Sequence, residues 1–423
     1  MINNKIKIAY ILKTFGVGGI EEYIEAFLLN INKDRFDVIL YCNYTPCILD
    51  LLKELKNKGV RVIPLFEKKQ ELLIEGETMV AIKRPKGIKF LYHLLIPDKI
   101  REILCDFINI FFFTPIFVNK LSKEKIDVIH FNSGGLPSLL PEAIAAWFLR
   151  IPCRVLTVHG LLLYNTKGLK GSIHWLLRSI VFLSVNNIIA VSSSAKEILF
   201  YHFPFVTKKT RVIYNGIDLE QVDKYCAILD CPKEKEILGL NNTSYTIGII
   251  ARLVNNKGHD DLIEAIKILT ENNKSMDLSI LIVGSGPEQE RLIKETKDKG
   301  INRYFNFLGY RENAFKIIAL CDLIVLPSLQ EAFGYVLIEA MACSKPIIAT
   351  KLDSIQEVVG DSAGILIPKQ NPYVLAESIL SLMSDAGKSR KMGIAGRQRV
   401  ERLFQQKVMI QETANLYSRI AQT

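Results

Sequence analysis

The chain has 423 residues, 49% of them hydrophobic, which is enough for two domains with large buried cores and too apolar for a disordered chain. A formal net charge of +10, from 54 basic against 44 acidic residues, favours anionic partners: nucleic acid, phosphorylated ligands or an acidic membrane surface. With no zinc finger and no basic stripe interleaved with stacking aromatics, the sequence argues against nucleic acid. Its eight cysteines are scattered, and the closest pairs, Cys42/Cys47 and Cys226/Cys231, lack the second pair of a zinc site. Residues 1–7 are polar and charged, so no signal peptide is expected, and reduced thiols in a cytoplasm are the natural reading.

In chain order, residues 5–12 (KIKIAYIL) read as a first strand, 15–20 (FGVGGI) as a glycine-rich turn and 21–31 as a helix with Ile24, Phe27, Leu28 and Ile31 on one face. Strand and helix then alternate through 36–42, 47–58, 60–65, 127–132, 154–158, 187–191 and 212–214. Residues 216–242 are charged and poorly periodic, the signature of a linker. A second series has strand-like runs at 245–250, 278–283, 304–308, 323–326, 347–349 and 365–367, each separated by helical spacing. This alternation predicts an α/β fold: two doubly wound, Rossmann-like domains facing across a cleft. The expected domains are 1–215 and 243–404. The linker 216–242 joins them, and 405–423 is a last helix packing back towards the first domain. Residues 66–125 resist the pattern: a basic stretch with Lys83, Arg84, Lys86, Lys89, Lys99 and Arg101 precedes ILCDFINIFFFTPIFV at 103–118. That run is too short and too interrupted to span a bilayer. It is either a core helix of the first domain or a membrane-facing surface.

Most residues suited to chemistry fall at the carboxyl ends of predicted strands, where open α/β sheets bind ligands. Gly16, Gly18 and Gly19 form a phosphate-approaching turn or an ordinary tight one; the dinucleotide fingerprint is incomplete. His159 ends the strand in TVHG, placed either to bond a substrate hydroxyl or as a satisfied structural histidine. Arg252 and Lys257 (ARLVNNKG) could clamp a diphosphate, one with a planar fork and one as a point charge, or could simply be solvated. A second glycine loop follows at 281–288 (LIVGSGPE). Glu331 sits in the loop after the strand 322–327, and Glu339 lies about a turn into the next helix, the two forming either an acid/base pair or a clamp for a ligand. No Asp-x-Asp pair is present, and the histidines form no metal set, so cations and backbone N–H groups would have to meet any diphosphate.

Taken in order, these pieces resemble the retaining GT-B glycosyltransferases of family four over nearly the whole chain. GVGGIEE is similar to the family's glycine turn, TVHG to its histidine strand end, VSSSAKE to its serine turn and VIYNGID to the start of its linker. ARLVNNKG is similar to the Arg/Lys clamp, LIVGSGPE to the second glycine loop, and PSLQEAFGYVLIEAMACSKPIIAT to the Glu-x7-Glu signature. The resemblance implies that a sugar leaves its nucleoside diphosphate and joins an acceptor hydroxyl with retained configuration, without a metal or a cofactor beyond the donor. Domain 1–215 would take the acceptor and domain 243–404 the nucleotide-sugar. Arg252 and Lys257 would neutralise the departing diphosphate, and Glu339 would hold the ribose. Glu331 would contact the donor sugar, as would His159 from the first domain. The backbone at Phe333, Gly334 and Tyr335 would approach phosphate, with Gly18 and Gly19 lining the acceptor or phosphate side. Three departures stand out: Ala251 and Ala332 occupy positions where glycine is common, and Asp353-Ser354 lies where a glycine pair often occurs. The expected acceptor is a saccharide or lipid-linked saccharide in cell-surface polysaccharide assembly, handled by a cytoplasmic enzyme that is either free or peripheral on the inner face of the membrane. A catalytically silent scaffold subunit, or an epimerase or phosphorylase on the same fold, would carry much of the same architecture.

Overall fold

The computed structural model describes residues 5–13, 19–43, 48–65, 98–133, 136–160, 168–272, 276–311 and 314–421. These divide into two compact units, one of residues 1–191, 195–213 and 410–423, the other of 192–194 and 214–409.

The first unit begins β1 (Ile6–Lys13), α1 (Gly19–Asn30), β2 (Phe36–Cys42), α2 (Leu49–Asn57) and β3 (Arg61–Pro64). It continues α3 (Asp98–Ser122), β4 (Val128–Ser133), α4 (Leu140–Phe148), β5 (Cys153–Val158) and α5 (Gly168–Ser184). β6 (Asn187–Ala190), α6 (Ser193–His202) and β7 (Thr210–Val212) close it. Every strand pair is parallel, in the order β3-β2-β1-β4-β5-β6-β7. A parallel sheet covered on both faces needs strands that are apolar throughout, and six of the eight β1 positions are buried. The chain goes one way from β1 to β2 and the other way to β4, so the switch point lies between β1 and β4. A buried ion pair fixes that end of β1. Lys13 Nζ lies 2.5 Å from Glu142 Oε1 on α4 and donates to the Ser138 carbonyl at 2.6 Å. Removing one partner of such a pair costs about 3–5 kcal/mol, because the other charge stays buried.

The region 103–118 falls inside α3, which continues through Pro115 to Ser122. Phe113, Phe117 and Leu121 enter the core, whereas Phe111 and Phe112 face outward. The helix therefore has both a core face and an apolar exposed face. The basic residues Lys83, Arg84, Lys86 and Lys89 lie outside the described residues.

The second unit opens with α7 (Leu219–Ile228) and α8 (Cys231–Ile237). The segment read as a linker is thus partly helical. The local signal was present: Asp218 accepts from Gln221 N and Asp230 from Lys233 N, both N-caps, with a proline in the first turn of α8. Then follow β8 (Tyr245–Ile250), α9 (His259–Asn272), β9 (Leu278–Val283), α10 (Gln289–Asp298), β10 (Phe305–Gly309) and α11 (Phe315–Ile318). β11 (Leu323–Leu326), α12 (Tyr335–Ala342), β12 (Ile347–Thr350), α13 (Asp353–Val359) and β13 (Gly364–Ile367) complete the sheet. Its order is β10-β9-β8-β11-β12-β13, all parallel. The switch point lies between β8 and β11. The helices α14 (Pro372–Ser384), α15 (Ala386–Leu403) and α16 (Gln406–Ala421) follow. Residues from Ile410 onward group with the first unit.

Candidate functional site

In the second unit the loop after β8 and the loop after β11 flank the switch point, and these carry the charged residues singled out from the sequence. Lys257 Nζ forms an ion pair and hydrogen bond with Glu331 Oε1, both side chains being largely buried. The sequence reading gave these two residues separate partners on a donor; the structure brings them onto each other. Ser328 Oγ donates to the same Glu331 oxygen at 3.0 Å, and Ser354 Oγ donates to the Glu331 carbonyl at 2.7 Å. Arg252 is exposed at the mouth of the β8 loop. Glu339 is buried in α12.

The loop holding Arg252 and Lys257 is fixed by backbone fits that only glycine permits. Gly258 has φ +73, and a Cβ there would lie 2.0 Å from the Pro327 carbonyl oxygen. Asn256 O accepts from Leu329 N at 2.8 Å, tying the same loop to the end of β11. On the other side, a Cβ on Gly284 would meet Ala251 O at 2.0 Å and one on Gly286 would meet Leu253 O at 2.3 Å. Leu253 N donates to Ser285 O and Glu288 N to Leu253 O. The glycines of the loop 281–288 therefore serve close approach to the Arg252 segment. Sequence reasoning saw those glycines as a second glycine loop at the same sheet edge and did not see this packing role. It missed Ser328 and Ser354; the Ser-x-x-Glu spacing of Ser328 and Glu331 was the available signal for the first.

Gly334, at φ +78, turns the chain into α12. The Phe333 side chain is buried, its ring centroid 5.6 Å from that of Phe404, and Tyr335 OH donates to the Gly216 carbonyl at 3.0 Å. Both side chains are thus engaged within the unit, so their backbone N–H groups are what they can offer a ligand. Ala332 keeps an ordinary negative φ, so the missing glycine causes no strain there. Asp353-Ser354 opens α13, where Ser354 supports Glu331.

In the first unit, Gly18 lies outside the described residues and Gly19 is the first residue of α1. His159 follows β5, one strand beyond the switch point. Its Nε2 donates to Asn132 Oδ1 at 2.9 Å, which leaves Nδ1 as an acceptor in the neutral ring. The Tyr23 ring stands edge-on at 5.0 Å. Burial pushes the His159 imidazole down to about 3, so the ring is neutral at pH 7. Beneath it His130 is fully buried, with Tyr417 OH at 2.5 Å from Nδ1 and Thr157 Oγ1 at 2.7 Å from Nε2. Among the described residues no group of three or more His, Cys, Asp or Glu side chains could hold a metal ion.

The chain matches the family model described as Glycosyltransferase Family 4 over residues 46–221 and that described as Glycosyl transferases group 1 over residues 230–399. It is 31% identical over 311 residues to a capsular polysaccharide biosynthesis glycosyltransferase, CapM, of Staphylococcus aureus, covering 70% of this chain and 77% of the relative. It is also 31% identical over 236 residues to a UDP-Gal:alpha-D-GlcNAc-diphosphoundecaprenol alpha-1,3-galactosyltransferase of Escherichia coli, covering 55% of this chain and 60% of the relative. In fold it is similar to the Anabaena protein HepE solved with UDP and glucose, with a TM-score of 0.75 at 20% identity over 98% of this chain and 99% of that one. With two Rossmann-like domains of parallel sheet and a relative of this identity over this length, the chain belongs to the GT-B glycosyltransferases of family four.

Proposed function

We propose that this glycosyltransferase moves a sugar from a nucleoside-diphosphate sugar to an acceptor hydroxyl with retention of anomeric configuration, using no metal and no cofactor beyond the donor. The observation that carries this reading is the Lys257–Glu331 pair at the switch point of the second sheet, with Arg252 exposed on the same loop. A diphosphate entering there competes with Glu331 for the Lys257 ammonium. Glu331, still held through Ser328 and Ser354, then turns its carboxylate to the donor sugar hydroxyls. Arg252 and Lys257 stabilise the charge that develops as the diphosphate leaves, and the N-terminus of α12 at Gly334 and Tyr335 adds its N–H groups and dipole. Glu339 binds the ribose. The departing phosphate oxygen takes the acceptor proton, so neither glutamate acts as a glycosidase acid. His159 offers a neutral ring to a sugar hydroxyl, and Gly19, at the start of α1, lines the acceptor or phosphate side.

For the acceptor we propose a saccharide or lipid-linked saccharide of cell-surface polysaccharide assembly. The names of the Staphylococcus aureus and Escherichia coli relatives support this class. The test is a panel of nucleoside-diphosphate sugars read by thermal stabilisation with EDTA present, since a ligand stabilises the fold it binds. One or more donors should raise Tm, and Glu331→Ala with Glu339→Ala should abolish the shift. No shift from any donor would favour a silent scaffold subunit.

A further inference from the structure

We propose that the flank of the first unit formed by α3, α4 and α5 docks on an anionic lipid bilayer. α3 packs on α4 and α4 on α5, so their outward faces form one surface. Their inward faces supply Phe117, Leu140, Ala143, Leu177 and Val181 to the core. Outward they carry Phe111, Phe112, Trp147, Phe148, Leu176 and Leu183, each between 50% and 76% exposed. A water-facing helix flank is ordinarily polar; single exposed apolar residues are common, but six on three adjoining helices mark an interaction surface.

The charge distribution identifies the occupant. The first unit holds 30 basic and 19 acidic residues and the second 24 and 25, so the net positive charge of the protein resides in the first. Between residues 143 and 213 the chain has nine basic residues and a single acidic one, Glu197. Exposed Arg150 lies two residues past the end of α4, and exposed Lys208 and Arg211 follow α6. The end of α6 meets α5, where Trp175 Nε1 donates to the His202 carbonyl at 3.1 Å. A second copy of this chain would set cations against cations across such a face. A bilayer with acidic headgroups satisfies both features: rings and aliphatics enter the interface while the fringe of cations meets the headgroups. No helix among the described residues is long and apolar enough to cross a membrane, so the association is at the surface.

The experiment sediments the full chain with vesicles of phosphatidylcholine alone and of phosphatidylcholine with phosphatidylglycerol, with no donor or acceptor present. The protein should bind the anionic vesicles, and added salt should weaken binding. The double variant Phe148→Ser/Leu183→Ser should bind at least roughly tenfold more weakly. Arg150→Gln and Lys208→Gln should each cost roughly fivefold. The four side chains are exposed, so Tm should match wild type, which is checked in parallel. Equal sedimentation with both vesicle types, or wild-type binding by both sets of variants, overturns the proposal. So does a concentration-dependent dimer that the double variant dissolves while vesicles are ignored. Because no sugar nucleotide is present, failure here leaves the transfer reading untouched.

Discussion

Lys257 and Glu331 hold each other at the end of the second sheet, and the conformation of Gly258 decides where that lysine stands. Gly258 combines φ +73 with a Pro327 carbonyl oxygen 2.0 Å from its missing Cβ. Gly239, in the same unit, has φ +69 and nothing within 4 Å. Gly239→Ala should therefore cost only the left-handed backbone preference, about 1–2 kcal/mol. Gly258→Ala adds a steric conflict with backbone and should cost about 3 kcal/mol or more, with loss of activity. Denaturant unfolding measures both, and equal costs would mean that the contact with Pro327 does not constrain the loop. At this scale the sequence showed the residue types and their strand-end positions, because those depend on local pattern. It did not show that Ser354 supports Glu331, or that Asn132 orients His159. Those bonds join residues far apart in the chain, and nothing local encodes them.

Strands were legible because both sheets are parallel and covered on both faces, so each strand is a short apolar run; Leu278–Val283 is buried at every position. The helices α7 and α8 were not, because charge obscured short helices whose evidence lay in the caps at Asp218 and Asp230. The buried histidines are likewise a matter of elements in contact: His130 of β4 lies between Thr157 of β5 and Tyr417 of α16. Burial lowers the pKa of His130 far below its usual value, that of His159 to about 3 and that of His259 to about 4. An unfolded histidine titrates near roughly 6.5. Below that pH the unfolded chain takes up protons that the native one refuses, so stability should fall as pH drops from 7 towards 4 and be unaffected by these groups above 7. For fully buried His130 the slope is at most about 1.4 kcal/mol per pH unit. Unfolding free energies of wild type and His130→Gln between pH 7 and 5 test this. The variant should show the shallower decline, and parallel curves would contradict it.

At the scale of the molecule, each unit has its own core, its own parallel sheet and its own switch point, and the two differ in charge. The first is strongly basic and the second nearly neutral, yet it is the second that brings Arg252 and Lys257 to one sheet end. On the proposed function, local placement of cations, more than net charge, sets where a diphosphate binds. The most direct measurement is release of nucleoside diphosphate from the donor, with acceptor and EDTA present, by wild type, Arg252→Ala and Lys257→Ala. Wild type should turn over in EDTA, and each variant should lose about 10²–10³ in kcat. Activity that EDTA abolishes and a divalent cation restores, or variants that keep the wild-type rate, would contradict the account.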